Sequence, residues 1–341
     1  MILTNFFNKT LKNINKTFNS FIKLTLINKL FLIFLILLFM TVIFNSYNNI
    51  PEFHSLQGFK NNENNEKYVK KIDTDVYDSL YSESYDTIYL NKKRNNYELE
   101  QIKKILKNES EHKILDVGSG TGYTVKIFTD AGYDIVGLDK SEAVISKAES
   151  NYPKCEFIVQ DFLTSNMFDY HSFSHILCLG KTIYEIKNKE LFFEKCNSIL
   201  SKDGFLIINL VDREKFKPFV QNKDKNTLYD PEKYGKKVTE LIVKFDKNSE
   251  FISKYKLKNL ENNLENNNAT DSSVTPYAIY NEKFTNFKTH NIRENEINLY
   301  MPITTKILNL AKAKDYILFK KIDLKPAGYN HEYLYVFKKL E

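Results

Sequence analysis

Ile114-Leu115-Asp116-Val117-Gly118-Ser119-Gly120-Thr121-Gly122 is the stretch that decides how this chain folds. Residues 113–117, with Ile114, Leu115 and Val117, read as a strand, and 123–131 carry helical periodicity. The three glycines fall between them. Glycine tolerates backbone conformations that other residues resist and lets a ligand approach the main chain. In an open α/β sheet a ligand binds beyond the carboxyl ends of the strands, next to the first helix. Two carboxylates stand at equivalent places further on. Asp139 closes the run Val136-Gly137-Leu138-Asp139, where it is placed to accept hydrogen bonds from ribose hydroxyls. Asp161 closes Phe157-Ile158-Val159-Gln160-Asp161, placed beside an adenine edge, with Phe162 next to it for stacking. Asp116 precedes the first glycine, where a carboxylate orients the loop or accepts from an ammonium group.

Outward from that loop the chain alternates short apolar runs with helical segments. Residues 134–139, 155–159, 175–179 and 204–211 read as strands, and 141–150 and 189–200 as helices, with Ser141 as an N-cap and Glu142 in the first turn. Strands separated by helices imply a parallel sheet with crossovers. The alternation then breaks. Residues 238–257 suggest a β-hairpin turning near 246–248, residues 259–273 are low-complexity, and 277–300 hold two more strand-like runs. Residues 304–314 read as a helix, and 317–322 and 333–337 as strands. Upstream, 73–107 carries helical patterns, with Tyr77, Tyr81, Tyr85 and Tyr89 at i, i+4 spacing on one face of a continuous helix, either a packing face or a ligand face.

This succession resembles the class I S-adenosylmethionine-dependent methyltransferases, closely over about 110–212 and more loosely over about 300–341. The resemblance implies an α/β fold with a Rossmann-like seven-stranded sheet, mostly parallel with its last strand antiparallel. It implies S-adenosyl-L-methionine as cofactor, transferring a methyl group to an acceptor. On that reading Asp116, Gly118, Ser119, Gly120 and Gly122 match the family's first motif, and Asp139 with Lys140 its ribose side. Asp161 and Phe162 match the adenine side, and 178–181, with Leu179, the methionine and methyl side. Tyr85, with Asp86, Tyr89, Arg94 and Tyr97, resembles the amino-terminal segment of small-molecule N-methyltransferases, where a tyrosine and a basic residue reach the methionine end. Lys202-Asp203-Gly204 stands where the family has a Pro-Gly-Gly turn, with Asp203 in place of a glycine. Residues 73–341 then form the methyltransferase domain, and 213–300 an antiparallel β insertion resembling the substrate cover of several small-molecule methyltransferases.

Rival readings of the glycines fare worse. A nicotinamide-binding G-x-G-x-x-G places glycine at 123, which is tyrosine. Gly180-Lys181-Thr182 supplies the end of a P-loop, but its first position, 175, is histidine. A tethered cofactor-binding module without transfer activity is the non-enzymatic alternative, separable by turnover. Sulfonium methyl transfer is an in-line displacement that needs alignment above all, and a base only where the acceptor must lose a proton. No Asn/Asp-Pro-Pro-Tyr/Phe or Pro-Cys motif follows the fourth strand, which argues against adenine, glutamine or cytosine C5 as acceptor and for a small molecule. Tyr184 and His290 are the catalytic candidates, each with a plain structural alternative, Tyr184 as a packing aromatic and His290 as a surface histidine.

The remaining classes follow from composition. Three cysteines without a C-x-x-C pair exclude a disulfide scaffold, and six scattered histidines give no metal motif. Net charge is +6, but residues 1–50 hold five lysines and no acid, leaving about +1 elsewhere and no nucleic-acid footprint. Residues 30–44 are free of charge and cover roughly 22 Å as a helix; extended back to 24 the run reaches about 21 residues, enough for one membrane span if Lys29 snorkels. No small-x-small cleavage site follows it. The expected order is a basic tail (1–23), a transmembrane helix (24–44), a linker (45–72) and the catalytic domain, with a cytoplasmic N-terminus.

Overall fold

A computed structural model describes residues 25–48, 67–106, 112–216, 240–244, 248–258 and 278–340. The basic tail 1–23, most of the linker, the low-complexity run 259–273 and most of the 246–248 turn lie outside the described residues. The chain divides into two units, Met1–Ser55 and Leu56–Glu341. In the first, α1 (Leu26–Asn48) is a helix of 23 residues, about 35 Å long at 1.5 Å per residue, whose described large side chains, Phe31, Phe34 and Phe39 among them, are exposed. Among the described residues, however, no helix is long and apolar enough to cross a membrane. The transmembrane helix expected over 24–44 is therefore not established.

In the second unit the strands form two sheets. The first has seven strands: β2 (Lys113–Val117), β3 (Asp134–Asp139), β4 (Glu156–Val159), β5 (Phe173–Cys178), β6 (Leu200–Val211), β11 (Tyr316–Asp323) and β12 (Glu332–Lys339), in the order β11-β12-β6-β5-β2-β3-β4. β2 to β6 pair in parallel, whereas β12 inserts antiparallel between β6 and β11. The mostly parallel sheet with an antiparallel last strand is thus as expected. Its strands alternate between two buried faces. Leu115, Ile176, Cys178, Leu206 and Phe337 join one core, and Ile114, Leu177, Ile207 and Val336 the other. Burial on both faces is what crossover helices impose on a parallel sheet. Those helices are α4 (Tyr123–Asp130), α5 (Glu142–Asn151), α6 (Thr182–Glu185) and α7 (Lys189–Ile199), with α8 (Thr304–Ala313) before β11. Ser141 caps α5 by accepting from the Val144 N–H at 3.2 Å. Asp203, which the resemblance puts in place of a glycine, sits at φ +62°, a left-handed conformation that favours glycine, and pairs with Lys338 at 2.8 Å.

The second sheet has five strands, running in space from residues 68–72 through 291–299, 278–286 and 249–257 to 240–244. Four of its strands, β7 (Glu240–Lys244), β8 (Ser249–Leu257), β9 (Ala278–Asn286) and β10 (Asn291–Leu299), pair antiparallel. The fifth, β1 (Tyr68–Ile72), falls in the segment expected to be linker. It pairs in parallel with β10, Tyr68 opposite Ile292. A five-residue edge strand with two lysines has little local signal, and its pairing is fixed by residues more than 200 positions away. Alternation is strict on β9, where Ala278, Tyr280, Glu282 and Phe284 are buried on one face. The helical segment expected over 73–107 is broken into a 3₁₀ turn (Asp73–Val76), α2 (Ser79–Tyr89) and α3 (Lys92–Leu106). Asp78 caps α2, so Tyr77 precedes the helix that carries the other three tyrosines.

Candidate cofactor and acceptor site

A cavity of about 440 Å³ opens at the carboxyl ends of β2, β3 and β5. Helix α2 and the inner face of the second sheet form its other walls, through Tyr81, Tyr85, Phe251, Tyr280 and Ile297.

The glycine loop forms its floor. Gly118 and Ser119 both donate their N–H to the Leu138 carbonyl, at 2.7 and 3.0 Å, which ties the loop to β3. A Cβ on Gly118 would lie 2.4 Å from Thr182 Cγ2, so that position has no room for a side chain. Gly120 differs: at φ +56°, it has nothing within 4 Å of where its Cβ would be. That space belongs to the cavity, and only a residue at ease with positive φ keeps it open. The Gly120 N–H donates to Asp139 Oδ2 at 3.1 Å, and the Ser141 N–H to Oδ1 at 3.0 Å. Burial pushes the Asp139 carboxyl up, and these backbone donors pull it back.

Asp116, Ser119, Lys140 and Tyr85 line the same cavity, as do Asp161, Phe162 and Leu179. Asp116 is almost wholly buried, and burial, reinforced by the nearby Asp139 and Glu98 carboxylates, pushes it up to about 7. Asp161 Oδ1 accepts from the Leu163 N–H at 2.8 Å, and the Phe162 ring packs 5.6 Å from that of Phe192. Gly122 is not among the lining residues. It begins α4, and a Cβ there would lie 2.5 Å from the Phe157 ring, so its role is close packing of helix on sheet.

The two catalytic candidates fall elsewhere. Tyr184 is 2 % exposed and its hydroxyl accepts from the Val211 N–H at 2.8 Å. One helical turn presents Thr182 and Glu185 to the cavity and turns Ile183 and Tyr184 into the core. His290 is an exposed turn residue between β9 and β10, at φ +60°, and does not line the cavity.

The structure adds Glu185, Glu332, Asn209 and Glu282 to the groups that the sequence marked, and gives Arg94 and Tyr89 partners. Glu185 Oε2 accepts from the Tyr77 hydroxyl at 2.6 Å. Arg94 lines the cavity but its guanidinium is held by Glu98, Glu332 and Asn209 at 2.8–3.0 Å and lies over the Tyr329 ring. On the inner face of the second sheet Tyr89 donates to Glu282, whose other oxygen accepts from Asn295 at 2.9 Å; Arg293 bridges Asn295 and Asp78. Burial pushes Glu282 up to about 7. Helix α2 and the residue before its cap are laced to the glycine-loop side by Thr121 donating to Asp86 and Ser141 to the Tyr77 carbonyl, both at 2.5 Å. Sequence could have suggested Glu185 only by its position after Gly180; Glu332 and Asn209 reach the site through pairing of distant strands. Among the described residues there is no cluster of metal-ligating side chains.

Residues 108–268 match a family model described as a methyltransferase domain. Over that stretch, just under half of its length, the chain is similar to a methyltransferase domain. A glycine/sarcosine N-methyltransferase of Aphanothece halophytica is 24% identical over 155 residues, 42% of this chain, and the match spans 58% of that relative's length. Two solved structures share the fold. The CcbJ methyltransferase from Streptomyces caelestis superposes with a TM-score of 0.57 at 12% identity, covering 78% of this chain and 98% of that one. An S-adenosylmethionine-dependent methyltransferase from Clostridium acetobutylicum does so with 0.54 at 14% identity, covering 77% and 97%. The methyltransferase domain implies S-adenosylmethionine, and the residues fit it. There is an open glycine cradle over Gly120, a carboxylate at the end of β3 for hydroxyls, and a second, Asp116, for an ammonium group.

Proposed function

We propose that this protein is a membrane-anchored S-adenosylmethionine-dependent methyltransferase acting on a small-molecule acceptor. The observation that carries this reading is the continuity of the cavity: the loop Gly118–Gly120 and Asp139 open into the same space that the second sheet closes with Phe251, Tyr280 and Ile297. When bound, the cofactor supplies a methyl group made electrophilic by its sulfonium. Gly118 to Gly120 bring the main chain against it, and Ser119 lies in the same loop. Asp139, beside Lys140, accepts from ribose hydroxyls, and Asp161 with Phe162 lies against the adenine. Asp116 takes the ammonium of the methionine end. Leu179 and Tyr85 face the methyl side. Walls from α2 and the second sheet exclude water and align the acceptor, which is most of what an in-line displacement requires.

Calorimetry of the full chain in detergent tests the reading. S-adenosylmethionine and S-adenosylhomocysteine are expected to bind and NAD is not; binding of NAD alone would overturn it. Turnover on a metabolite extract separates an enzyme from a binding module.

Anchoring rests on the charge-free run 30–44, the five lysines before it and the exposed apolar side chains of α1. Carbonate-washed membranes are expected to retain the chain, and release by carbonate would refute an anchor.

A further inference from the structure

The methyl side of the cavity holds a carboxylate with half of its hydrogen-bonding capacity open. Glu185 ends α6, just beyond β5 and Gly180, and lines the cavity. Its Oε2 accepts from Tyr77, whereas Oε1 has no hydrogen-bond partner among the described residues. Around it stand aromatic faces. Tyr77 and Tyr81 lie 5.0 Å apart, Tyr81 and Tyr85 5.7 Å, and Tyr85 and Tyr89 5.2 Å. On the facing wall the Lys181 ammonium already rests 4.0 Å from the centre of the Tyr280 ring. Burial raises the Glu185 carboxyl and Asp139 raises it further, whereas the Tyr77 donor lowers it, as do Lys140 and Lys181, which share this space. A cation still gains there from the ring quadrupoles and from the open oxygen of Glu185.

Acceptor chemistries divide on this point. A thiolate would be repelled by Glu185. An aliphatic hydroxyl is far too weak an acid for a carboxylate to deprotonate. An alkylammonium is attracted in its charged form and lies within reach of a carboxylate that burial has raised.

We propose that the acceptor is a protonated amine seated against these tyrosine faces, and that Glu185 takes its proton through Oε1. This rests on the methyltransferase reading above. An N–H bond breaks, the proton goes to Oε1 and the nitrogen keeps the electron pair. That pair forms the new N–C bond as the methyl carbon's bond to sulfur breaks, its electrons remaining on sulfur as a neutral thioether. The product is an N-methylammonium, and Glu185 returns its proton to water. Tyr77 is a positioning residue: its hydroxyl holds Glu185 and favours the ionised form.

The test uses the full chain in detergent, saturated with S-adenosylhomocysteine. It is titrated by calorimetry with primary amines from ethylamine to phenethylamine, each paired with the alcohol of the same skeleton. The wild type is expected to bind at least one amine tenfold or more tightly than its alcohol. Glu185→Gln is expected to bind S-adenosylhomocysteine normally and lose the preference. Tyr77→Phe is expected to keep the preference with its acid limb moved to higher pH, because a donor to the carboxylate is gone. Amines bound no better than alcohols, or a preference that survives Glu185→Gln, would overturn the proposal. A wild type that does not bind S-adenosylhomocysteine would sink the methyltransferase reading instead.

Discussion

Arg94 donates Nη1 to Glu332 Oε2 across 3.0 Å, fastening α3 to the first residue of β12 although 238 positions separate the two in sequence. Glu98 takes the same guanidinium at 2.8 Å, and all three side chains are largely buried. Arg94→Met would leave two buried carboxylates without their cation, and breaking such a pair costs about 3–5 kcal/mol. A large drop in the urea midpoint is expected. The sequence pattern places Arg94 where a basic residue reaches the cofactor. If the substitution spared stability and removed only cofactor affinity, the ion-pair role would be wrong.

Asp139 is braced from two sides by the N–H groups of Gly120 and Ser141. Asp139→Ala removes both the brace and the acceptor for ribose hydroxyls, and is expected to weaken cofactor binding by about 1.5–3 kcal/mol, tenfold or more. Gly120→Val puts a branched side chain into the open cradle at a φ that disfavours it, and is expected to abolish binding while far-UV circular dichroism stays unchanged. Calorimetry reads both. Parent-like affinity in the two variants would place the cofactor elsewhere.

Asp116 gives a pH signature. Its ordinary value of 3.8 rises to about 7 in the fold. Between those values the folded chain holds a proton that the unfolded chain has lost. The contribution of Asp116 to stability therefore falls as pH rises from about 4 to about 7 and is lowest above that window. The loss amounts to a few kcal/mol, because each tenfold change in proton affinity is worth roughly 1.4 kcal/mol. Asp116→Asn removes this penalty. Urea denaturation across the pH range should show the variant gaining on the wild type through that window. A stability difference that is flat with pH would argue that Asp116 is not buried as a lone carboxylate.

The parts that sequence revealed and the parts it hid divide along contact distance. The alternation from β2 to β6 is local, written in apolar runs and the Ser141 cap, and it brought the loop at 118–120 and the carboxylates at 116, 139 and 161 to one edge of the sheet. β1 was invisible because its partner β10 lies over 200 residues away. The break before α2 was hidden by unbroken tyrosine spacing, although Asp78 is a recognisable N-cap. The choice of Glu185 over Tyr184 turns on the phase of one helical turn, which periodicity over four residues does not fix.

The tyrosine face divides between packing and binding, hydroxyl by hydroxyl. Tyr89 donates to one oxygen of the buried Glu282, so Tyr89→Phe leaves that oxygen without its donor and is expected to cost about 1–3 kcal/mol of stability. Tyr85 has no hydrogen-bond partner for its hydroxyl among the described residues and lines the cavity, so Tyr85→Phe is expected to leave the melting temperature nearly unchanged and to reduce cofactor affinity. Thermal denaturation beside calorimetry on both variants tests this, and reversed outcomes would assign the face to packing at Tyr85 and to the ligand at Tyr89.

If α1 spans a membrane, as proposed above, its orientation sets two physical arguments against each other. Five lysines and no acid precede the apolar run, and the excess of basic residues beside a span stays on the cytoplasmic side. For a single span, that rule would put residues 56–341 on the far side. Cys155, Cys178 and Cys196 are all free thiols, which suits a reducing compartment, as does a cofactor made by cytosolic metabolism. Asn268-Ala269-Thr270 matches a glycosylation acceptor, but it lies outside the described residues, and asparagine is abundant enough in this chain for chance matches. Protease added to the cytoplasmic face of sealed vesicles decides between them. The charge rule expects residues 60–341 to be protected. Their digestion would overturn that orientation and place the cavity beside the cofactor supply.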